Sequence, residues 1–268
     1  MIPDRRAGYS HNASRQIWLS HSHCLIRSLL LCNHTTQKEE IIIRTVSLLL
    51  NPHNIDVYIP DENPSAIVYL HASSEDGNAV WQQLPEPRPA LAVISGTDWN
   101  RDFSPWPAEK VFPTSEPFAG GAETYFHILN SHIIPAVEDL FTCPPSVRCV
   151  SGYSLAGLFA VWCVFKYDTF DCAAALSSSL WYDGFTEFVL NTVPSKRLRR
   201  ISLSLGDREK RTRNNRMTCI EEALHTVLNR LKACGIQAEF RYETGGHFDD
   251  VTGRIARGIA LLYMPDGM

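Results

Sequence analysis

This 268-residue sequence has no run of about 20 apolar residues, and so offers no transmembrane helix. It has no excess of positive charge. Lys and Arg number 25 against 29 Asp and Glu, and a net charge of −4 gives no reason to expect nucleic acid as a partner. None of its eight cysteines (24, 32, 143, 149, 163, 172, 219 and 234) forms a C-x-x-C pair or shows metal-ligand spacing. Its ten histidines contain no H-x-x-x-H or H-E-x-x-H pattern, which sets a metal enzyme aside. Internal repeats and low-complexity tracts are also lacking. What is present is ample core material: 44% hydrophobic residues and 10% aromatics, on a length that fits one α/β domain. Several cysteines lie inside apolar segments, where cysteine behaves as a small hydrophobe, so a reduced, cytoplasmic protein is expected. Cys24 to Cys32 is partly apolar and follows Arg5, Arg6 and Arg15, loosely like a signal peptide. Arg27 interrupts it, His21 and His23 precede it, and Asn33-His34-Thr35 is a poor cleavage site, so no signal peptide is expected.

Residues 1–38 lack a clear period and are expected to form a poorly ordered extension, with one domain over residues 39–268. Glu40 to Val46 and Ile55 to Pro60 read as strands. Ala66 to Leu70 and Ala90 to Ser95 are continuous apolar runs, as in strands buried on both faces. The segment from Gly96 to Gly121 is rich in Pro, Trp and Phe. A loop of that length is functional or disordered, and Trp99, Phe103 and Trp106 argue for order. Tyr125 to Leu140 reads as a helix. Further strands are expected at Asp171 to Ser177, Arg200 to Leu205 and Ala238 to Glu243. Met217, Ile220, Leu224, Val227, Leu228 and Leu231 recur at helical steps and mark an amphipathic helix ended by Gly235. Strands alternating with helices predict an α/β fold with a mostly parallel central sheet and helices on both faces.

The most informative stretch is Gly152-Tyr153-Ser154-Leu155-Ala156-Gly157, between the extended segment Ser146 to Ser151 and the apolar run Leu158 to Phe165. A serine framed by small residues at a strand-to-helix turn is the nucleophile elbow of α/β-hydrolases, G-x-S-x-G. Ala156 stands at the last position of that pattern. A serine hydroxyl needs a base, normally a histidine oriented by a carboxylate. In this fold class the chain order is Ser, acid, His, each beyond a strand. Asp207, on a glycine turn after Leu203-Ser204-Leu205, is the expected acid, with Glu209 a close rival. His247, behind Gly245 and Gly246 after the last strand, is the expected base. An oxyanion hole requires two backbone N–H groups. Leu155 is expected to supply one, and Ala72 or Ser73, after an earlier strand, the other.

These features, together with Asp98-Trp99-Asn100-Arg101-Asp102-Phe103-Ser104-Pro105-Trp106-Pro107, resemble the "Putative esterase" family of α/β-hydrolases over residues 40 to 264. That family includes enterochelin-type siderophore esterases, S-formylglutathione hydrolases and mycolyl transferases. The resemblance implies an α/β-hydrolase fold, a Ser154–His247–Asp207 triad, no metal or organic cofactor and a small-molecule ester as substrate. Trp181 and Tyr182, in a segment resembling a site-lining loop of the family, are either pocket wall or core; Trp99 is a third substrate-contact candidate. The basic stretch of Lys196, Arg197, Arg199, Arg200, Arg208, Lys210, Arg211, Arg213 and Arg216 reads as a solvated face, or as an attractor for an anionic substrate. The reading is a serine esterase working through an acyl-enzyme. An acyltransferase or thioesterase on the same triad and a non-catalytic ligand-binding homologue are its rivals. Neither the ester nor the oligomeric state is legible.

Overall fold

The computed structural model describes residues 25–28, 44–60 and 64–263. Its strands are β1 (Leu25–Ser28), β2 (Arg44–Leu50), β3 (His53–Ile59), β4 (Ala66–His71), β5 (Ala90–Ser95), β6 (Pro107–Ala108), β7 (Phe118–Ala119), β8 (Val147–Tyr153), β9 (Cys172–Leu176), β10 (Arg200–Gly206) and β11 (Gln237–Glu243). All but β6 and β7 form one sheet in the order β1-β2-β3-β5-β4-β8-β9-β10-β11. The strands from β5 through β11 in that order run parallel, whereas β1, β2 and β3 add an antiparallel flank. Strand order reverses at β4, which has β5 on one side and β8 on the other. In open α/β sheets the crevice at the carboxyl ends beside such a reversal is where ligands bind.

The continuous apolar runs follow from two-sided burial. Ile67 and Tyr69 of β4 face one core, and Val68 and Leu70 face the other. One layer holds α1 (Ser74–Gln83) and α8 (Val251–Tyr263), which contribute Val80, Trp81, Ile255, Ile259 and Leu262. The opposite layer holds α3 (Ala122–Ile128), α4 (Ile134–Glu138), α5 (Ser154–Lys166), α6 (Phe185–Asn191) and α7 (Ile220–Ala233). Every residue of α5 from Leu155 to Phe165 is buried, as expected of a helix that is apolar all round.

Three expectations change in detail. The helix expected over Tyr125 to Leu140 is two helices joined by a π-turn at Leu129–Ile133. Pro135, in the first turn of α4, has no N–H to donate and its ring crowds the carbonyl four residues back, so the backbone widens there. The first strand of the domain, read at Glu40 to Val46, continues to Leu50 in its described part, Arg44–Leu50; residues 40–43 lie outside the described residues. Within the expected N-terminal extension, Leu25–Ser28 pairs with β2 as an edge strand; the rest of residues 1–38 lies outside the described residues.

The aromatic segment 96–121 is ordered by short elements of its own. A one-turn helix, α2 (Trp99–Asp102), precedes the two-residue ribbon of β6 and β7. Ser104 ties them together: its hydroxyl donates to Asn100 O at 2.6 Å and accepts Gly120 N–H at 2.8 Å. Trp106 Nε1–H then donates to Asp183 O at 2.8 Å, joining this segment to the one that follows β9.

Candidate active site

Strand β8 ends at Tyr153 and helix α5 begins at Ser154, with no intervening loop. So abrupt a turn forces Ser154 into the left-handed region, at φ +56°. For a residue with a side chain that conformation costs about 1–3 kcal/mol and persists only where its surroundings fix it. Ser179 N–H donates to Ser154 O at 2.9 Å and helps to do so. A Cβ on Gly152 would collide with the carbonyl of Ala156 and lie 2.7 Å from the Ala156 methyl. Because position 152 has no Cβ, position 156 tolerates one, and the departure from G-x-S-x-G is absorbed. Ser154 Oγ is thereby presented on the floor of a cavity of about 480 Å³.

His247 arrives from the loop beyond β11. Ser154 Oγ–H donates to His247 Nε2 at 3.0 Å, and His247 Nδ1–H donates to Glu209 Oε2 at 2.7 Å. A carboxylate only accepts, so the proton belongs on Nδ1 and Nε2 is free to take one from the serine.

The expected acid, Asp207, does not meet the imidazole. Its Oδ1 accepts Gly245 N–H at 2.9 Å, and its side chain is 54% exposed against 5% for Glu209. The reason is a turn. Asp207 N–H still pairs with Glu243 O, as a continuation of the β10–β11 ladder, and Glu209 N–H then closes onto Gly206 O at 3.0 Å. The residue at the end of that turn is folded back over the strand terminus, where its longer side chain reaches His247. Gly206 leaves room for this. A Cβ there would lie 2.5 Å from Gly245 O and 2.9 Å from Glu209 Oε1. Burial by itself pushes the Glu209 carboxyl upward, but hydrogen bonds from His247, Ser177 and Gly206 N–H outweigh it and hold the group below its ordinary 4.5.

One residue of this site was not picked out from the sequence. Arg254, in the first turn of α8, is completely buried, and its Nη1 donates to Glu209 Oε1 at 3.0 Å. The signal was present: Arg254 interrupts the apolar stripe of Val251, Ile255, Ile259 and Leu262. A charge on a buried helical stripe demands a partner.

The remaining expected residues divide. Leu155 lines the cavity, and as a first-turn residue of α5 its N–H has no acceptor within the helix. Ala72 does not line it. Its N–H donates to Ile94 O at 3.2 Å, extending the β4–β5 ladder by one residue. Ser73 caps α1, its Oγ accepting Asp76 N–H at 3.0 Å. Trp99 and Trp181 line the cavity, but Tyr182 is core. Tyr182 is buried and its hydroxyl donates to Trp106 O at 2.5 Å. Four of the nine members of the basic stretch are paired locally: Arg197 and Arg199 share Asp171, Lys210 meets Glu221, and Arg216 meets Asp183. Arg208 and Arg211 are its two members that line the cavity. Arg208 also meets Asp249 at 3.1 Å.

Among the described residues, no group of three or more His, Cys, Asp or Glu is arranged to hold a metal ion, and no helix is long and apolar enough to cross a membrane. His71, buried among Phe103, Tyr125 and Phe159, is a neutral core residue: burial lowers its pKa to about 3.

The family model described as "Putative esterase" matches residues 51–249. Ferri-bacillibactin esterase BesA of Bacillus subtilis (strain 168) is 28% identical over 181 residues, which is 63% of this chain and 62% of that protein. The uncharacterized protein YbbA of the same organism is 28% identical over 139 residues, 50% of this chain and 54% of its own length. The chain thus spans only about half to three-fifths of the curated relatives it matches. Among solved structures, the siderophore hydrolase EstA from Aspergillus nidulans aligns over 88% of this chain and 98% of that one, with a TM-score of 0.61 and 18% identity. That likeness shows the α/β-hydrolase fold.

Proposed function

Because the chain belongs to this esterase family, we propose that it hydrolyses a carboxylic ester through an acyl-enzyme formed on Ser154. The observation that carries the reading is the imidazole of His247, bonded at once to Ser154 Oγ and Glu209 Oε2 at the floor of a cavity. His247 Nε2 takes the serine proton as Ser154 Oγ attacks the acyl carbon. It then returns that proton to the departing alcohol. Glu209 holds the tautomer and stabilises the imidazolium that forms. Leu155 N–H, at the amino end of α5, faces the developing oxyanion. A water molecule, activated by the same histidine, releases the acid.

The walls of the cavity support a substrate class. Trp99, Phe112 and Trp181 offer flat apolar surface, and Arg208 and Arg211 add positive charge. Such a cavity fits an ester that carries aromatic and anionic groups. Together with the relatives named for ferri-bacillibactin and siderophore hydrolysis, it supports a siderophore-type ester as substrate. The free thiols of Cys149, Cys163 and Cys172, all buried, suit a reducing compartment such as the cytoplasm.

The test is labelling with a fluorophosphonate probe. Wild type should label and Ser154→Ala should not; a wild type that does not label overturns the mechanism. A panel of esters differing in charge then tests the substrate, with added alcohol or thiol reporting any acceptor that competes with water.

A further inference from the structure

We propose that Arg254 is a positioning residue for ester hydrolysis: it holds the Glu209 carboxylate and the His247 loop in the arrangement that lets His247 reach Ser154. This inference rests on the Ser154–His247–Glu209 reading above and adds a fourth member to it.

A fully buried guanidinium is costly unless it is paired, so its acceptors say what it is there to fix. Nη1 shares its hydrogens among Glu209 Oε1 at 3.0 Å, Tyr153 Oη at 3.0 Å and Ser177 Oγ at 3.1 Å. Nη2 donates to Thr244 O at 3.0 Å and Gly246 O at 2.9 Å. Four of these five acceptors lie on segments that carry a member of the triad. Tyr153 immediately precedes Ser154, Glu209 is the acid itself, and Thr244 and Gly246 precede His247. Ser177 opens the segment whose Ser179 amide holds Ser154 O. Tyr153 closes the circle, its hydroxyl donating to His247 O at 2.7 Å.

The two oxygens of Glu209 are divided between tasks. Oε1 accepts from Arg254 and from Gly206 N–H at 2.7 Å, which leaves Oε2 for His247 Nδ1–H. Removing the guanidinium takes one of the bonds that set the last torsion of the glutamate, leaving Gly206 N–H and Ser177 to hold it, and loosens the direction of its bond to the imidazole. The reach of Arg254 follows from its place on α8. Helical side chains lean toward the amino end, so a first-turn arginine just downstream of the His247 loop extends back beneath that loop. Arg254 is not among the cavity-lining residues, so it acts on the triad and not on bound substrate.

The test compares wild type with Arg254→Met, Arg254→Lys, Glu209→Gln and the Glu209→Gln/Arg254→Met double variant. Readouts are kcat and KM for a chromogenic ester, thermal unfolding, and the far-downfield NMR proton of the His247–Glu209 bond. Arg254→Met is expected to lower kcat about 10²-fold, the scale of a misplaced catalytic group. KM should stay within about twofold, as for a residue that does not bind substrate. The downfield proton should be lost in protein that still unfolds cooperatively. Lysine should restore part of kcat, since it keeps the charge without the planar fork. Adding Arg254→Met to Glu209→Gln should cost no more than about a further twofold, because one residue acts through the other. Losses that multiply in the double variant, an unchanged kcat in Arg254→Met, or a rise in KM matching the fall in kcat would each overturn the proposal. If Arg254→Met does not fold, the double variant decides alone, since it removes cation and carboxylate together and leaves no unpaired buried charge. Wild-type kcat in Glu209→Gln would instead refute the triad reading itself.

Discussion

Replacing Glu209 with Gln removes the acceptor that selects the His247 tautomer while scarcely changing volume, and it also takes the carboxylate from the buried Arg254, so turnover should fall and stability with it. By analogy with other Ser-His-acid triads, kcat is expected to fall about 10³–10⁴-fold. Asp207→Asn, two residues away, retains an oxygen for Gly245 N–H, and steady-state kinetics should find kcat close to wild type. Equal losses in the two variants would contradict the site geometry. Ser154 and His247 were legible in the sequence because each is announced by its own neighbours: small residues around one, glycines before the other. The acid was not. Asp207 and Glu209 both follow the strand, and choosing between them requires the turn that Glu209 N–H closes onto Gly206 O. Tyr182 stayed open between wall and core for a similar reason, since nothing local tells a buried tyrosine paired with Trp106 O from one lining a wall. The role of Arg211 can be tested directly. If its guanidinium attracts an anionic group, Arg211→Gln should raise KM for an acidic ester while leaving a neutral analogue within about twofold. An equal change for both esters would count against the proposed substrate class.

At the scale of the element, the elbow is a contest between backbone strain and packing. Gly152→Ala would drive a methyl into the Ala156 carbonyl, and either α5 shifts or Ser154 moves. The expected result is a Tm lower by several degrees, consistent with about 1–3 kcal/mol of overpacking, together with slower fluorophosphonate labelling. Ala156→Gly should leave the elbow intact and destabilise only through helix propensity, by about 1 kcal/mol in denaturant unfolding. A labelling rate unaffected by Gly152→Ala would show that the turn has slack. The strands were legible because burial on both faces produces apolar runs. The kinked helix before β8 was less so, since Pro135 widens the turn without breaking the hydrophobic pattern. Ala72 exposes the limit of reading strand ends: one further rung of the β4–β5 ladder takes its N–H out of contention.

For the whole molecule, pH dependence follows from buried titratable groups. Burial holds the folded pKa of His71 down to about 3, whereas the unfolded chain protonates it near its ordinary 6.5. The unfolded state therefore binds more protons between those values, and stability falls as pH drops below 6.5. Glu209 and Asp171 add to the fall at lower pH. Burial raises both, but His247, Ser177 and Gly206 outweigh it for Glu209. Arg148 N–H, Arg197 and Arg199 do the same for Asp171. Both carboxyls sit below their ordinary 4.5 and 3.8, so their contribution is complete above those values and is lost as pH falls through the folded ones. Thermal unfolding between pH 7 and pH 3 should show Tm declining from about 6.5 and more steeply below about 4.5. His71→Gln should flatten the upper part of that curve and Glu209→Gln the lower part. Unchanged slopes in both variants would mean that other groups govern acid stability.

The parallel order of the sheet has a consequence for biosynthesis. Ser154 precedes His247 by 93 residues, and β10, β11 and α8 all enter the fold after the elbow strand. A chain emerging from the ribosome carries Ser154 well before His247 has been made. The Ser154–His247 pair on which the proposed chemistry rests can form only once β11 and α8 have joined the fold.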